Sequence, residues 1–168
     1  MRAFHFGLMG VAGALLTGCS GAATSPNASP VTAAESAVVA QYTLVTANGV
    51  TVPAGAGSYP INNVTCNRFV DAGFLRLGGQ LDYTLSVSWR IVCPSGVTST
   101  STSSGLQISN GTWTYDGNQL ALTRTSGSAI GLANLGISGG IVSADVQLET
   151  FPPDAAYKYP LLAMRFQR

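Results

Sequence analysis

The clearest pattern along the chain is an alternation of apolar and polar positions in the stretch LDYTLSVSWRIVC, residues 81–93. Leucine, tyrosine, valine, tryptophan and isoleucine occupy every second position, and polar residues lie between them. Because successive side chains of a strand point to opposite faces, this pattern predicts one long strand with a buried face and a solvent-exposed face. The stretch GIVSADVQLE, residues 140–149, has the same alternation and predicts a second such strand.

Turn-forming residues divide the rest of the chain into short segments. Asn-Gly at Asn48 and Asn110, Asp-Gly at Asp116 and paired glycines at Gly78 and Gly139 supply the positive φ that tight hairpins need. We predict further strands at residues 42–47, 72–77, 106–109, 112–115, 119–124, 129–135 and 159–166. About eight to ten short strands predict an all-β fold, an antiparallel up-and-down barrel with a β-sandwich as the alternative. Closure into a barrel would remove exposed strand edges.

The first residues follow a different pattern. Arg2 precedes an apolar run from Phe6 to Leu16 that ends in small residues, which is the layout of a secretory signal peptide. The run is shorter than the roughly 20 apolar residues that a membrane-spanning helix needs. The sequence LTGC, which ends at Cys19, resembles the bacterial lipobox. That resemblance implies cleavage before Cys19 and attachment of acyl chains to it, which would anchor the protein to a membrane.

These features divide the chain into three parts. We predict a lipoprotein signal peptide at residues 1–18, a lipid-anchored flexible tether at residues 19–40 and a barrel domain at residues 41–168. The tether is rich in small polar residues and proline, although TAAE from Thr32 matches a capping box and predicts one helical turn. Ser20, where an aspartate would favour the inner membrane, predicts a position in the cell envelope at the outer membrane.

Removal of the signal peptide changes the chemistry that the chain offers. Loss of Arg2 lowers Lys+Arg from 8 to 7, equal to the 7 Asp+Glu, and the single histidine, His5, is also lost. A neutral chain has no charge to attract nucleic acid, and a chain without histidine has no serine–histidine–acid triad. The carboxylates fall mainly in predicted turns or on polar strand faces, where solvated side chains are common. We therefore predict a non-enzymatic protein with no cofactor, no metal site and no nucleic-acid partner.

Two cysteines remain beside the lipidated one. Cys66 and Cys93 lie in an exported chain, where thiols oxidise, and they predict one disulfide. The segment CPSGVTSTSTSSG, residues 93–105, is polar and lacks apolar alternation, so it predicts a long surface loop.

A family resemblance extends over most of the chain from Tyr42 onward. The segments YTLVTANGVTVP, AGFLRLGGQLDYTLSVSWR, GTWTYDGNQLALTR and the final LLAMRFQR resemble the small lipocalin-like barrel lipoproteins of bacteria. The resemblance implies a calycin-type barrel.

Three functions are compatible with these features. The first is a carrier of a small apolar ligand, lined by Tyr83, Trp89, Trp113 and Tyr115; the ligand would be uncharged, because the strand faces in phase with Trp89 carry no ionisable group. The second is an envelope protein-interaction module, such as an inhibitor of a periplasmic hydrolase, that binds through the loop at residues 93–105. The third is a structural envelope protein without a ligand.

Overall fold

The computed structural model describes residues 31–61, 64–95, 100–148 and 161–168. Within them lie one short helix, α1 (Ala33–Val38), and ten strands. The strands are β1 (Ala40–Ala47), β2 (Val50–Thr51), β3 (Ala54–Ile61), β4 (Val64–Leu77), β5 (Asp82–Pro94), β6 (Thr100–Tyr115), β7 (Leu120–Gly127), β8 (Gly131–Ser138), β9 (Ile141–Gln147) and β10 (Leu162–Gln167). The prediction of an all-β fold is confirmed. The predicted signal peptide, Cys19 and the first part of the predicted tether lie outside the described residues.

Eight strands form one antiparallel sheet that curves into a nearly closed barrel. Their order is β7-β6-β5-β4-β1-β10-β9-β8, while β2 pairs with β1 and β3 pairs with β4 beside this path. β7 and β8 follow each other in the chain but form the two edges of the sheet. The predicted antiparallel barrel is confirmed, and β1 joins two runs of neighbouring strands, one from β4 to β7 and one from β8 to β10.

The inner face of the barrel is filled with apolar side chains. In β5, Tyr83, Leu85 and Val87 are at most 2% exposed, as the alternation predicts. Six of the largest side chains in this core come from five strands: Tyr42, Leu75, Tyr83, Trp113, Met164 and Phe166. Burial of such side chains is the main stabilising contribution to the fold.

Most of the predicted turns are present. Asn48 and Gly49 have φ of 51° and 76°, and Gly139 and Gly140 have φ of 56° and 78°, which are the positive values that two-residue hairpins require. Asp116 holds the turn between β6 and β7, where its carboxylate accepts hydrogen bonds from the backbone N–H groups of Asn118 and Gln119, both at 2.8 Å.

The predicted turn at Asn110 is wrong, because β6 continues through it without interruption. Gly111 is needed there for close packing rather than for a turn. A Cβ atom at Gly111 would fall on the carbonyl oxygen of Thr123 and would lie 2.7 Å from the Tyr83 ring. The register of β6 against β7 also shifts between Asn110 and Gly111, so this Asn-Gly pair marks a bulge.

The predicted loop at residues 93–105 is also wrong in its second half. β6 begins at Thr100, and Thr100 pairs with Pro94 while Ser104 pairs with Arg90. This segment consists mainly of serine and threonine, so its sequence shows no alternation of apolar and polar residues. Its backbone nevertheless pairs with β5 as an antiparallel strand. Residues 96–99 lie outside the described part of the chain.

α1 lies within the range predicted as a tether and packs against the barrel. The capping box is present: the Glu35 N–H donates to the Thr32 Oγ1 at 3.1 Å, and the Thr32 N–H donates to Glu35 Oε2 at 2.8 Å. Mainly through the Thr32 N–H bond, these contacts hold the pKa of Glu35 below its usual value. The Tyr42 hydroxyl donates to the Val38 carbonyl at 2.8 Å, and burial raises the pKa of Tyr42, which keeps this donor protonated.

The barrel therefore has two distinct ends. At the end that we call the helix end, α1 lies near the turns after β4 and β6, and Arg168 donates to the Ala37 carbonyl at 3.2 Å. At the opposite end, which we call the disulfide end, β4 begins, β5 ends and β6 begins.

Candidate functional site

The disulfide end is stapled by a covalent bond between two neighbouring strands. Cys66 of β4 and Cys93 of β5 have their sulfur atoms 2.11 Å apart, so the predicted disulfide is formed. Cys66 is fully buried, and Cys93 packs beside it. Together with Trp89 and Ile91 they form a small apolar cluster that is separate from the main core.

A buried arginine packs against this cluster. Arg68 is only 3% exposed, and its guanidinium carbon lies 5.2 Å from the centre of the Trp89 ring, within the range of a cation–π contact. Trp89 pairs with Val70 of β4, a member of the main core, so its ring is on the inner face.

Gly105 provides the space for the indole ring of Trp89. A Cβ atom at Gly105 would lie 2.6 Å from Trp89 Cζ2, so the ring packs closely against the backbone of β6. Trp89 Nε1 is buried and has no hydrogen-bond partner within the part of the chain that the structure describes. A buried donor of this kind is uncommon in native proteins.

Arg68 is the residue that the sequence analysis missed. We expected the inner positions beside Trp89 to carry no ionisable group, and this expectation is wrong, because Arg68 is on the same face. The alternation in β5 indicates only which residues of β5 face inward, whereas Arg68 belongs to the adjacent strand, where it pairs with Ile91. Only the pairing of β4 with β5 brings the guanidinium to the indole.

The four aromatic residues predicted to line a ligand site do not lie together. Trp89 is at the disulfide end, whereas Tyr83, Trp113 and Tyr115 lie toward the helix end. Tyr83 and Trp113 are at most 2% exposed and belong to the filled core.

Each of the three residues near the helix end has a structural hydrogen bond. The Tyr83 hydroxyl and the Ser109 hydroxyl are 3.1 Å apart, and the Trp113 indole N–H donates to the Gly78 carbonyl at 3.1 Å. The partly buried Tyr115 donates to the Gly117 carbonyl at 2.7 Å. These hydrogen bonds hold Tyr83 and Trp113 within the core and Tyr115 at its edge.

Each aspartate in the described part of the chain has an ion-pair or hydrogen-bond partner within the fold. Asp71 is paired with Arg90 at 2.9 Å and Asp82 with Arg76 at 2.6 Å, while Asp145 accepts from Asn134 at 2.6 Å. The turn N–H groups of Gln119 and Asn118 lower the pKa of Asp116. Among the described residues no group of three histidine, cysteine or acidic side chains is placed to hold a metal ion.

Two grooves formed by described residues lie on the outside of the barrel. One is at the helix end, between the start of β1 and the turn after β4, and includes Val39, Arg76 and Gly79. The other lies on the outer face of β4, β5 and β6 and includes Phe74, Ser88 and Leu106.

No protein-family profile, no curated protein and no solved structure matches this chain. The resemblance to lipocalin-like lipoproteins therefore stays a prediction. Among the described residues, no helix has the length and apolar character to cross a bilayer.

Proposed function

We propose that this protein is a non-enzymatic, lipid-anchored interaction module of the cell envelope, and that it binds a protein partner at its disulfide end. The observation that carries the proposal is the contrast between the two parts of the barrel. The interior is filled by its own side chains, whereas the disulfide end is a covalently stapled sheet with a buried arginine and an indole N–H that has no hydrogen-bond partner among the described residues.

The filled core favours a protein partner over a small apolar ligand. A ligand inside the barrel would have to displace side chains such as Tyr83, Trp113 and Phe166, each at most 2% exposed. Removing such side chains from a close-packed core costs several kcal/mol. Binding on the surface carries no such cost.

The disulfide end has the properties of a binding platform. β4, β5 and β6 are the longest strands of the barrel, with 14, 13 and 16 residues, and the disulfide fixes two of them together. The exposed residues Ser101 and Ser103 of β6 pair with Cys93 and Ile91. A rigid surface loses little conformational entropy when it binds a partner.

The position of α1 determines where the predicted anchor joins the domain. Residues 20–31 connect Cys19 to the capping residue Thr32, and an extended chain of this length spans at most about 45 Å. An anchor at Cys19 would therefore be joined to the helix end, and the disulfide end would carry no direct link to the membrane.

Replacing Cys19 with serine is expected to abolish lipid attachment and cleavage before residue 19, because the acylated thiol is absent. Metabolic labelling with a radioactive fatty acid, followed by mass analysis of the chain, measures both changes. Ser20→Ala is the matched control and should be labelled and cleaved like the unmodified chain. Labelling of the Cys19→Ser chain, or cleavage before residue 19 in it, would contradict the lipid-anchor prediction.

A photo-reactive amino acid at Ser103 is expected to cross-link the full chain to one envelope protein in intact cells. The matched control carries the same group at Thr114, which is exposed on the same strand near the helix end, and it should give at least about tenfold less of that product. Mass spectrometry of the purified native protein serves as the second measurement. Equal products from both positions would overturn the proposed partner site, and a retained apolar molecule with no cross-link would overturn the proposal in favour of a carrier function.

A further inference from the structure

β6 has a free edge at the disulfide end. β5 pairs with every residue of β6 from Thr100 to Thr112, whereas β7 pairs only with residues from Ser109 to Tyr115. On the side of β6 away from β5, no strand in the described part of the chain pairs with residues 100–106, which we call the open edge. Six of these seven residues are exposed. The open edge therefore presents strand backbone to solvent.

Every second residue of the open edge directs its backbone N–H and C=O away from β5. In an antiparallel pair, residues that bond to the neighbouring strand alternate with residues whose backbone groups point away from it. The Ile108 carbonyl accepts from the Ser128 N–H at 2.6 Å, on the side away from β5. The register of β6 against β5 does not shift, so the residues in phase with Ile108 point the same way. They are Thr100, Thr102, Ser104 and Leu106.

Two other edges of the sheet carry features that block strand pairing. β3 contains Pro60, which has no N–H, and its register against β4 shifts between Gly55 and Ser58. The register of β8 against β9 shifts between Ala133 and Gly136. Natural sheet edges use proline, charged residues and bulges to prevent pairing with another chain. The open edge contains no proline and no charged residue, and its pairing with β5 is regular.

The open edge is held in place by the stapled part of the sheet. Ser101 pairs with Cys93, whose disulfide to Cys66 joins β5 to β4. Farther along β6, Gly105 lies against the Trp89 ring. A segment that is already fixed as a strand loses little conformational entropy when another strand pairs with it.

We propose that the protein partner adds an extended strand to the open edge and so continues the sheet beyond β6. This binding mode rests on the proposed function and specifies how the partner is recognised. In strand addition, backbone hydrogen bonds supply affinity and the flanking side chains supply specificity. The outer-face side chains of the open edge are uncharged, and Leu106 is 58% exposed. They fit a partner segment of uncharged residues with an apolar side chain beside Leu106.

A strand from a different protein fits the open edge better than a second copy of this chain does. A symmetric contact would pair two open edges antiparallel, because the same residues must meet on both sides. The two barrels would then direct their helix ends, and with them the predicted anchors, in opposite directions. A strand supplied by a different protein imposes no such arrangement.

The substitution Thr102→Pro tests whether the backbone is recognised. It removes an N–H of the open edge and keeps the bonds of β6 to β5, whereas the matched control Thr102→Ala removes only the side chain. The probe is the purified envelope protein that cross-links to Ser103, and its dissociation constant with the full chain in detergent is measured for each variant. Thr102→Pro is expected to weaken binding by at least about tenfold, and Thr102→Ala by less than about twofold.

Amide hydrogen exchange of the unmodified chain provides a second measurement. In the free chain the N–H groups of Ser103 and Gly105 bond to β5 and should exchange slowly, whereas those of Thr102 and Ser104 should exchange quickly. Addition of the same envelope protein should slow exchange at Thr102 and Ser104 by at least about tenfold. Unchanged exchange at these two amides would overturn strand addition. Should Thr102→Pro not fold, this measurement decides alone.

The outcomes separate strand addition from the proposed function. A Thr102→Pro chain that is folded by circular dichroism and binds as tightly as the unmodified chain would overturn strand addition but leave a protein partner at the disulfide end. Equal losses for Thr102→Pro and Thr102→Ala would assign recognition to the side chain, with the same consequence. Cross-linking of Ser103 only to a second copy of this chain would overturn strand addition by a partner. Absence of any cross-linked protein would overturn the proposed function and this binding mode together.

Discussion

Replacing Trp113 with alanine is expected to lower the free energy of unfolding by about 3–5 kcal/mol, the range observed for large aromatic residues in a core. Trp113 is 1% exposed and is one of the largest side chains of the main core. Its indole N–H donates to the Gly78 carbonyl, and its backbone N–H donates to the Leu81 carbonyl at 2.9 Å. The substitution would leave a cavity and remove the donor that fixes the turn between β4 and β5.

Urea denaturation followed by far-ultraviolet circular dichroism measures this effect. Val50→Ala is the control, because a substitution at an exposed position usually changes stability by at most about 0.5 kcal/mol. Trp113→Phe should lie between the two, since it keeps most of the apolar volume but loses the indole donor. A loss below about 1 kcal/mol for Trp113→Ala would show that this end of the barrel relaxes around the cavity.

Removing the disulfide with Cys66→Ala and Cys93→Ala together is expected to lower stability by roughly 3–4 kcal/mol. The bond joins residues 27 apart in sequence, and its loss allows the unfolded chain more conformations. The double substitution also trims the fully buried Cys66 side chain from the cluster around Trp89. Both effects act in the same direction.

A reductant distinguishes the two contributions. Reduction of the unmodified chain removes only the covalent link, whereas the double variant also loses both sulfur atoms, so the reduced chain should be the more stable of the two. The stability of the double variant should not respond to reductant at all. Equal stability of the oxidised chain and the double variant would contradict the prediction.

The elements that the sequence predicted well are those with local signals. The alternation in residues 81–93 reproduces β5 almost to its bounds, because each strand residue reports its own face. The paired glycines at Gly139 and the Asn-Gly at Asn48 form the expected turns, because glycine and asparagine adopt positive φ at little steric cost wherever they lie in the fold. The disulfide between Cys66 and Cys93 was predictable because only two cysteines follow Cys19 in the chain.

The features that were missed depend on pairing between strands. In β4 the register shifts between Val70 and Ala72, so the residues before Asp71 and those after it face inward in opposite phase, and a single alternation does not fit the whole strand. For the same reason the sequence did not place Arg68 beside Trp89 or gather Leu106 and Phe74 into one outer groove. The sequence around Gly111 predicts a turn because the packing partner that requires glycine there, Thr123, lies on another strand.

The place of β1 in the sheet determines how the barrel can assemble. The strands from β4 to β7 and from β8 to β10 are neighbours in the chain and pair as local hairpins. β1 must instead pair with β10, and a contact between Asn48 and Ala163 joins residues 115 apart. The entropy lost on closing a loop rises with its length, so this pairing has a high entropic barrier and local contacts cannot replace it. Barrel closure is therefore the non-local step of folding, and hairpin formation can precede it.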